Sequence, residues 1–118
     1  MFKYLAAALL ACTSPPVSAM TGDELLRQCT APVGSIEQKQ CGSYILGVMS
    51  GANMMMIGTK QLHAESAAYP VLFCVTPSVP TPQLVDVVVK YLRANPEGRQ
   101  YDAGSEVLLA FREAYPCH

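Results

Sequence analysis

The hydrophobic positions of this chain fall into four segments that repeat at helical spacing. In the longest segment, 41–59, Cys41, Ile45, Val48 and Ala52 form one stripe, and no charged residue interrupts the run. A second apolar stripe lies beside the first. We therefore predict a central helix that is covered on most of its faces, either by the other helices or by a second subunit.

Two of the other segments begin with capping signals. Thr21 and Glu24 have capping-box spacing, which predicts a short helix with Leu25, Leu26 and Cys29 on its inner face. Thr81 followed by Pro82 predicts the start of a long helix with Thr81 as its N-cap. The inward-facing positions of that helix repeat at helical spacing and are Leu84, Val85, Val88, Tyr91 and Leu92.

A final helix is predicted between Asp102, which can cap its start, and Pro116, which ends it. Its expected inner face comprises Val107, Leu108, Phe111, Ala114 and Tyr115. Segment 71–75 could form a strand, but no partner strand is visible, so we interpret it as a buried extended connector. The expected fold is all-α, a small disulfide-stapled bundle of about four helices.

Residues 1–19 have the features of a cleaved signal peptide. A basic Lys3 precedes an apolar run, and Val-Ser-Ala ends at a predicted cleavage site after Ala19. Cleavage there leaves residues 20–118 as a single helical domain. A membrane-spanning anchor is disfavoured, because the apolar run is too short to span a bilayer. The other alternative is lipidation of Cys12 within a lipobox-like Leu-Leu-Ala-Cys.

Four cysteines remain in the predicted domain: Cys29, Cys41, Cys74 and Cys117. An even number in a small exported domain predicts two disulfides, and no pair has the C-x2–4-C spacing of a zinc site. Four cysteines allow three pairings. Antiparallel neighbouring helices favour Cys29–Cys41 together with Cys74–Cys117.

Charge and composition exclude several classes of function. The chain carries eight basic and nine acidic residues, which is too few cations for a nucleic-acid protein. His63 and Glu65 are two residues apart, so they do not share a helix face, and no nucleophile–base set or phosphate loop is present. We predict no enzyme activity, no cofactor and no small-molecule substrate.

The methionine-rich run at the end of the central helix permits two interpretations. Met54, Met55 and Met56, with His63 nearby, could bind Cu(I), but consecutive residues point to different faces of a helix. Methionine also fills cores and interfaces. We therefore predict no metal and interpret Met54, Met55 and Met56 as a dimer or partner surface, since they give the helix more apolar faces than a small domain covers.

Several short motifs occur in the order found in one known family. They are CGSYILG at 41–47, FCVTP at 73–77, TPQLVDVVVKYL at 81–92, NPE at 95–97 and YPC at 115–117. With these motifs the chain resembles the Rap/Tai immunity proteins of bacterial type VI secretion systems. The resemblance implies a small, helical, exported and disulfide-bonded protein, often dimeric, that blocks a peptidoglycan amidase effector in the periplasm.

The family motifs do not include the residues that contact the effector. The polar segment 60–69 is the expected contact, through Lys60, His63, Glu65 and Tyr69, because recognition residues are often carried by loops on a rigid scaffold. Two alternative functions remain open on the sequence. One is a small periplasmic chaperone of the acid-stress type, and the other is a periplasmic protein-binding module with a different partner.

Overall fold

The computed structural model describes residues 14, 15, 18–62 and 73–118, and for residues 59–62 the backbone alone. Four α helices occur in these ranges: α1 (Gly22–Cys29), α2 (Ile36–Leu62), α3 (Thr81–Ala94) and α4 (Ala103–Ala114). A 3-10 turn, Pro96–Gly98, separates α3 from α4. The described residues contain no β-ladder, only an isolated antiparallel bridge between Thr21 and Asp102. The predicted all-α fold of about four helices is confirmed.

The predicted capping box at the start of α1 is present. The Glu24 N–H donates to Thr21 Oγ1 at 3.3 Å, and the Thr21 N–H donates to Glu24 Oε2 at 2.8 Å. The hydrogen bond from the Thr21 backbone lowers the pKa of Glu24, because it favours the charged carboxylate. Two backbone donors that a helix start would otherwise leave unpaired are therefore satisfied.

The first turn of α1 packs directly against the loop that leads into α4. The Gly22 N–H donates to the Tyr101 carbonyl at 3.0 Å, and the Asp23 N–H donates to the Arg99 carbonyl at 2.9 Å. A third bond runs from the Ala103 N–H to the Met20 carbonyl at 2.8 Å. These bonds hold the beginning of the chain's helical part against α4, and the first residue that takes part in them is Met20.

The core is formed by one face of each helix. From α2 it includes Cys41, Ile45 and Ala52, three members of the stripe predicted from the sequence. The other helices of the described chain cover only part of α2, because a line of positions from Ile36 to Ile57 is exposed, and coverage by a second subunit stays a prediction. Three neighbouring helices of this length do not enclose a 27-residue helix.

α3 buries the inner face predicted for it, with Leu84, Val88 and Leu92 fully enclosed. Its start differs from the prediction. Pro80 is the N-cap, Thr81 is the first helical residue, and no side chain caps the helix. Pro80 already holds its backbone in the extended region (φ −72°, ψ 152°) that an N-cap requires, so the helix starts one residue earlier.

The inner face of α4 is only partly as predicted. Val107 and Phe111 are buried, but Ala114 is exposed in the last turn. Its place in the core is taken by residues of the earlier turns, Ala103, Glu106 and Ala110. A buried glutamate was not expected, since a carboxylate is seldom enclosed without a partner.

The two disulfides join the pairs favoured from the sequence. Cys29 is bonded to Cys41, and Cys74 to Cys117, with Cα–Cα distances of 5.1 and 5.0 Å. Phe73 is buried and meets Phe111 edge-to-face at 5.4 Å between ring centroids. The Cys74 N–H donates to the Tyr115 carbonyl at 2.8 Å. Residues 73–76 have no regular secondary structure and are anchored by these contacts, but Phe73 is the one buried residue among them, so the predicted buried connector is found only in part, and residues 71 and 72 lie outside the described chain.

Candidate partner-binding surfaces

The second half of α2 exposes large apolar side chains. Met54 and Met55 are 74% and 76% exposed, and Ile57 is also exposed. Met56 differs, because it is partly buried and packs against the core. The structure thus places two of the three methionines of the predicted surface on the outside. The helical period turns the third one inward.

The exposed side of α2 forms a long uncharged stripe. Its members recur at alternating intervals of four and three residues, the spacing at which two helices pack along a seam. The seam positions, all exposed, are Ile36, Gln40, Ser43, Gly47, Ser50, Met54 and Ile57. A Cβ built on Gly47 would meet no atom within 4 Å, so the described chain does not require a glycine at this position.

The segment predicted to contact the effector is described only at its start. The backbone of Lys60 belongs to α2, while its side chain, His63, Glu65 and Tyr69 lie outside the described residues. The role of these four residues stays a prediction.

The turn between α1 and α2, which the Cys29–Cys41 disulfide closes, is a second exposed feature, and we call it the stapled turn. It was not singled out from the sequence. Gly34 has φ +84°, which favours glycine, and its N–H donates to Gln38 Oε1 at 2.6 Å. The Gln38 N–H donates to Ser35 Oγ at 3.2 Å. Val33 lies at the tip and is 93% exposed. An aliphatic residue between Pro32 and Gly34 in a loop was the available signal.

The stapled turn lies beside an open groove of about 570 Å³. Val85 and Val89 of α3 contribute to one wall, and Cys29 and Val33 contribute to the other. A separate depression of about 600 Å³ is lined by residues that include Met20, Ile36 and Tyr44. Both are open to solvent and are lined mainly by apolar atoms, which suits a protein contact better than an enclosed ligand site.

The described residues offer no cluster of side chains that would favour metal binding. They contain no group of three or more His, Cys, Asp or Glu side chains that could hold a metal ion. Likewise, no helix within them is long and apolar enough to cross a bilayer. What this part of the chain presents is exposed apolar surface on a cross-linked scaffold, an arrangement typical of a protein that acts by binding another protein.

The model of one family, the Rap1a immunity proteins, matches residues 21–117. This chain belongs to the Rap1a immunity protein family. No match was found among curated proteins or among solved structures. The family match spans all four helices and all four disulfide cysteines, so it agrees with the resemblance that the motifs indicated.

Membership of the Rap1a family implies an immunity protein for an effector of a type VI secretion system. It also implies an exported protein that acts by binding a protein partner rather than by catalysis. The exposed surfaces described above are therefore the candidate contacts of a Rap1a protein with its effector or with a second subunit.

Proposed function

We propose that this protein is exported to the periplasm and there binds and inhibits a peptidoglycan amidase effector of a type VI secretion system. The observation that carries this proposal is the family match over residues 21–117. An inhibitor of this kind needs only to cover the cleft of its target, and a small scaffold that exposes rigid apolar features meets that need.

Two parts of the chain are proposed to serve binding. Segment 60–69, with Lys60, His63, Glu65 and Tyr69, approaches the effector, and the exposed methionines of α2 contact the effector or a second copy of the chain. Deletion of residues 63–69 is expected to weaken effector binding at least tenfold. Unchanged affinity in a folded deletion variant would remove this segment from the interface.

The α2 stripe is also the proposed site of a homodimer. Because the stripe carries no charge, two copies can meet there without like-charge repulsion. Met54→Glu should give a monomer in sedimentation equilibrium, whereas Leu109→Glu, an exposed apolar position on α4, should not change the mass. A wild-type protein that is monomeric at 100 µM or so, well above ordinary dimer dissociation constants, would contradict the dimer.

Export is proposed to remove residues 1–19. The first residue that contributes to the described core packing is Met20, whose carbonyl accepts the hydrogen bond from Ala103. Cleavage after Ala19 therefore removes no core contact given above. Mass spectrometry of the periplasmic protein should find a chain that starts at Met20, and a lipid-modified Cys12 at the amino terminus would replace this proposal with a membrane-anchored form.

The biochemical test uses the mature chain, residues 20–118, with both disulfides formed. Candidate amidase effectors of the producing bacterium are purified and their hydrolysis of peptidoglycan is followed while the chain is added. We expect inhibition of one amidase that is complete near one equivalent of chain per active site. If every such amidase retains full activity at tenfold excess of a folded chain, the amidase assignment is wrong.

The chaperone alternative requires that the fold opens at low pH. Acid-stress chaperones expose apolar surface when the pH falls. The buried Glu106 has a raised pKa, chiefly through burial and then through repulsion from Glu97, so protonation favours the folded state at this position. At Glu24, whose pKa is lowered, acid has the opposite effect, so the net response of the fold to acid has to be measured. Acid-dependent binding of a hydrophobic dye would favour the chaperone.

A further inference from the structure

The stapled turn between α1 and α2 is held in one conformation by its own bonds. The Cys29–Cys41 disulfide closes it, Ser35 N–H donates to the Pro32 carbonyl at 3.0 Å, and Gln38 Oε1 accepts from Gly34 N–H. In this conformation Val33 is almost fully in solvent. A turn that is ordered before binding loses little conformational entropy when a partner covers it.

The groove beside the turn has a mixed lining of apolar and polar residues that includes two charged side chains of α3. Asp86 and Arg93 both line it, and Val89 lies between them on α3. Seven residues of an α helix rise about 10 Å, so the two charges are about two turns apart on one face. In the described part of the chain neither side chain has an ion-pair partner, the salt bridge found there being Arg99–Asp23.

This arrangement specifies the chemistry of an occupant. A complementary segment carries a basic residue opposite Asp86, an aliphatic side chain against Val89 and Val33, and an acidic residue opposite Arg93. A helix with these residues at i, i+3 or i+4, and i+7 has the required spacing of about 10 Å. The order of charges fixes the direction in which such a segment lies, so the groove selects orientation as well as composition.

We propose that the groove between the stapled turn and α3 is a docking site for a segment of the effector in which an aliphatic residue lies between a basic and an acidic one. The proposal rests on the proposed function, because it takes the effector as the partner. It assigns this contact to residues that belong neither to segment 60–69 nor to the exposed stripe of α2.

The test exchanges the two charges of the groove. The double variant Asp86→Arg, Arg93→Glu keeps the net charge of the chain, so it does not alter long-range attraction through total charge. Val33→Asp tests the apolar contact at a position that is exposed and therefore tolerant. The control is Lys90→Glu, an exposed charge on α3 that lines a different depression.

Affinity is measured by titration calorimetry at 0.15 M salt against the amidase effector, made inactive by substitution of an active-site residue. Wild-type chain and Lys90→Glu are expected to bind within twofold of each other. The charge exchange and Val33→Asp are each expected to weaken binding at least tenfold. Thermal unfolding of every variant within a few degrees of wild type confirms that the comparison concerns folded protein.

The outcomes separate the two proposals. If the wild-type chain binds none of the amidase effectors, both the proposed function and the docking site are overturned. If the wild-type chain binds but the charge exchange binds equally well, only the docking site is overturned. If the exchange changes the oligomeric mass and leaves effector affinity intact, the groove is a contact between copies of this chain, which also overturns the assignment.

Discussion

Glu106 is the residue whose environment differs most from what its chemistry favours. It is 4% exposed, and its Oε2 has no hydrogen-bond partner in the described part of the chain. The carboxyl group lies directly against Gly98, where an added Cβ would be 2.8 Å from Oε2. Burial raises the pKa of this carboxyl, and repulsion from Glu97 raises it further. The folded state therefore holds this proton more tightly than the unfolded state does.

This difference predicts a specific dependence of stability on pH. Well below the ordinary carboxyl pKa of 4.5, Glu106 is protonated in both states and adds no pH dependence. As the pH rises above that value, the unfolded state releases the proton first, so the free energy of unfolding falls. Glu106→Gln cannot titrate and should not show this part of the fall.

The measurement is urea unfolding of wild type and Glu106→Gln from pH 4 to pH 8. We expect the variant to gain stability relative to wild type as the pH rises, with the gap levelling off once Glu106 is ionised in the folded state. Glu97→Gln is the matched control, since it removes only the secondary repulsion and should produce a smaller change. Parallel curves for wild type and Glu106→Gln would contradict this account.

Gly22 is the second residue whose identity the packing determines. It begins α1, and an added Cβ would be 3.0 Å from Arg99 Cα and 3.1 Å from the Arg99 carbonyl oxygen. Both atoms belong to the backbone, so they cannot move aside as a flexible side chain does. Gly22→Ala should therefore destabilise the protein by about 1–3 kcal/mol, despite the better helix propensity of alanine. A stability equal to or above wild type in urea unfolding would contradict this prediction and would show that the backbone at Arg99 can move to make room for the added Cβ.

At the scale of the elements, the glycines of α2 predict the opposite result. Gly51 is exposed, and an added Cβ would meet no atom within 4 Å. Gly51→Ala should stabilise the isolated chain by about 0.5–1 kcal/mol, because alanine restricts the unfolded chain and favours the helix. The same measurement used for Gly22 tests it, and a loss of stability would indicate that α2 has a close neighbour there.

The two disulfides differ in their surroundings. Cys29 and Cys41 are buried, whereas Cys74 is exposed and Cys117 is partly exposed. A thiolate reductant can therefore reach the Cys74–Cys117 bond in the folded protein. It reaches the Cys29–Cys41 bond only when α1 and α2 separate locally. We predict that dithiothreitol reduces Cys74–Cys117 first, as read by alkylation and mass spectrometry under native conditions.

The consequences of losing each bond also differ. Their sequence separations are 12 and 43 residues, for which loop-closure entropy gives about 3 and about 4 kcal/mol. The Cys74→Ala, Cys117→Ala protein should unfold at a lower urea concentration than wild type while keeping its helical circular dichroism. If Cys29–Cys41 is reduced as fast as Cys74–Cys117, burial does not protect it and the packing of α1 on α2 is looser than the structure indicates.

The elements that the sequence predicted well are those fixed by local chemistry. The capping box needs only Thr21 and Glu24, and the inner face of α3 follows from helical spacing. Local signals failed where tertiary packing decides. Ala114 fits the period of α4 but lies in a turn that no other element covers, and Glu106 is enclosed because the loop at Gly98 lies over it.

The candidate surfaces were predictable to a similar extent. The excess of apolar faces on α2 was visible in the sequence, and Met54 and Met55 are exposed. Which methionine turns inward depends on the crossing of neighbouring helices, and this information is not local. The stapled turn was recognised only as a loop, because the hydrogen bond from Gly34 to Gln38 and the exposure of Val33 follow from a conformation that composition does not specify.

At the scale of the whole molecule, the described chain is a cross-linked scaffold that exposes several large apolar side chains. The two disulfides tie α1 to α2 and the connector before α3 to the carboxyl terminus. They stabilise a domain that is small for a hydrophobic core to support alone. This scaffold fixes three surface features in place: the uncharged stripe of α2, the stapled turn and its groove. Such fixed surfaces suit a protein that inhibits by binding its target.

The most direct test of the central claim is survival of a susceptible bacterium whose periplasm receives the amidase effector. The full chain is co-produced so that residues 1–19 can direct export, and a chain beginning at Met20 without an export signal is the control. We predict that the full chain restores growth and that the control does not, because the effector is met only in the periplasm. Lysis in the presence of folded, disulfide-bonded chain in the periplasm would contradict the account.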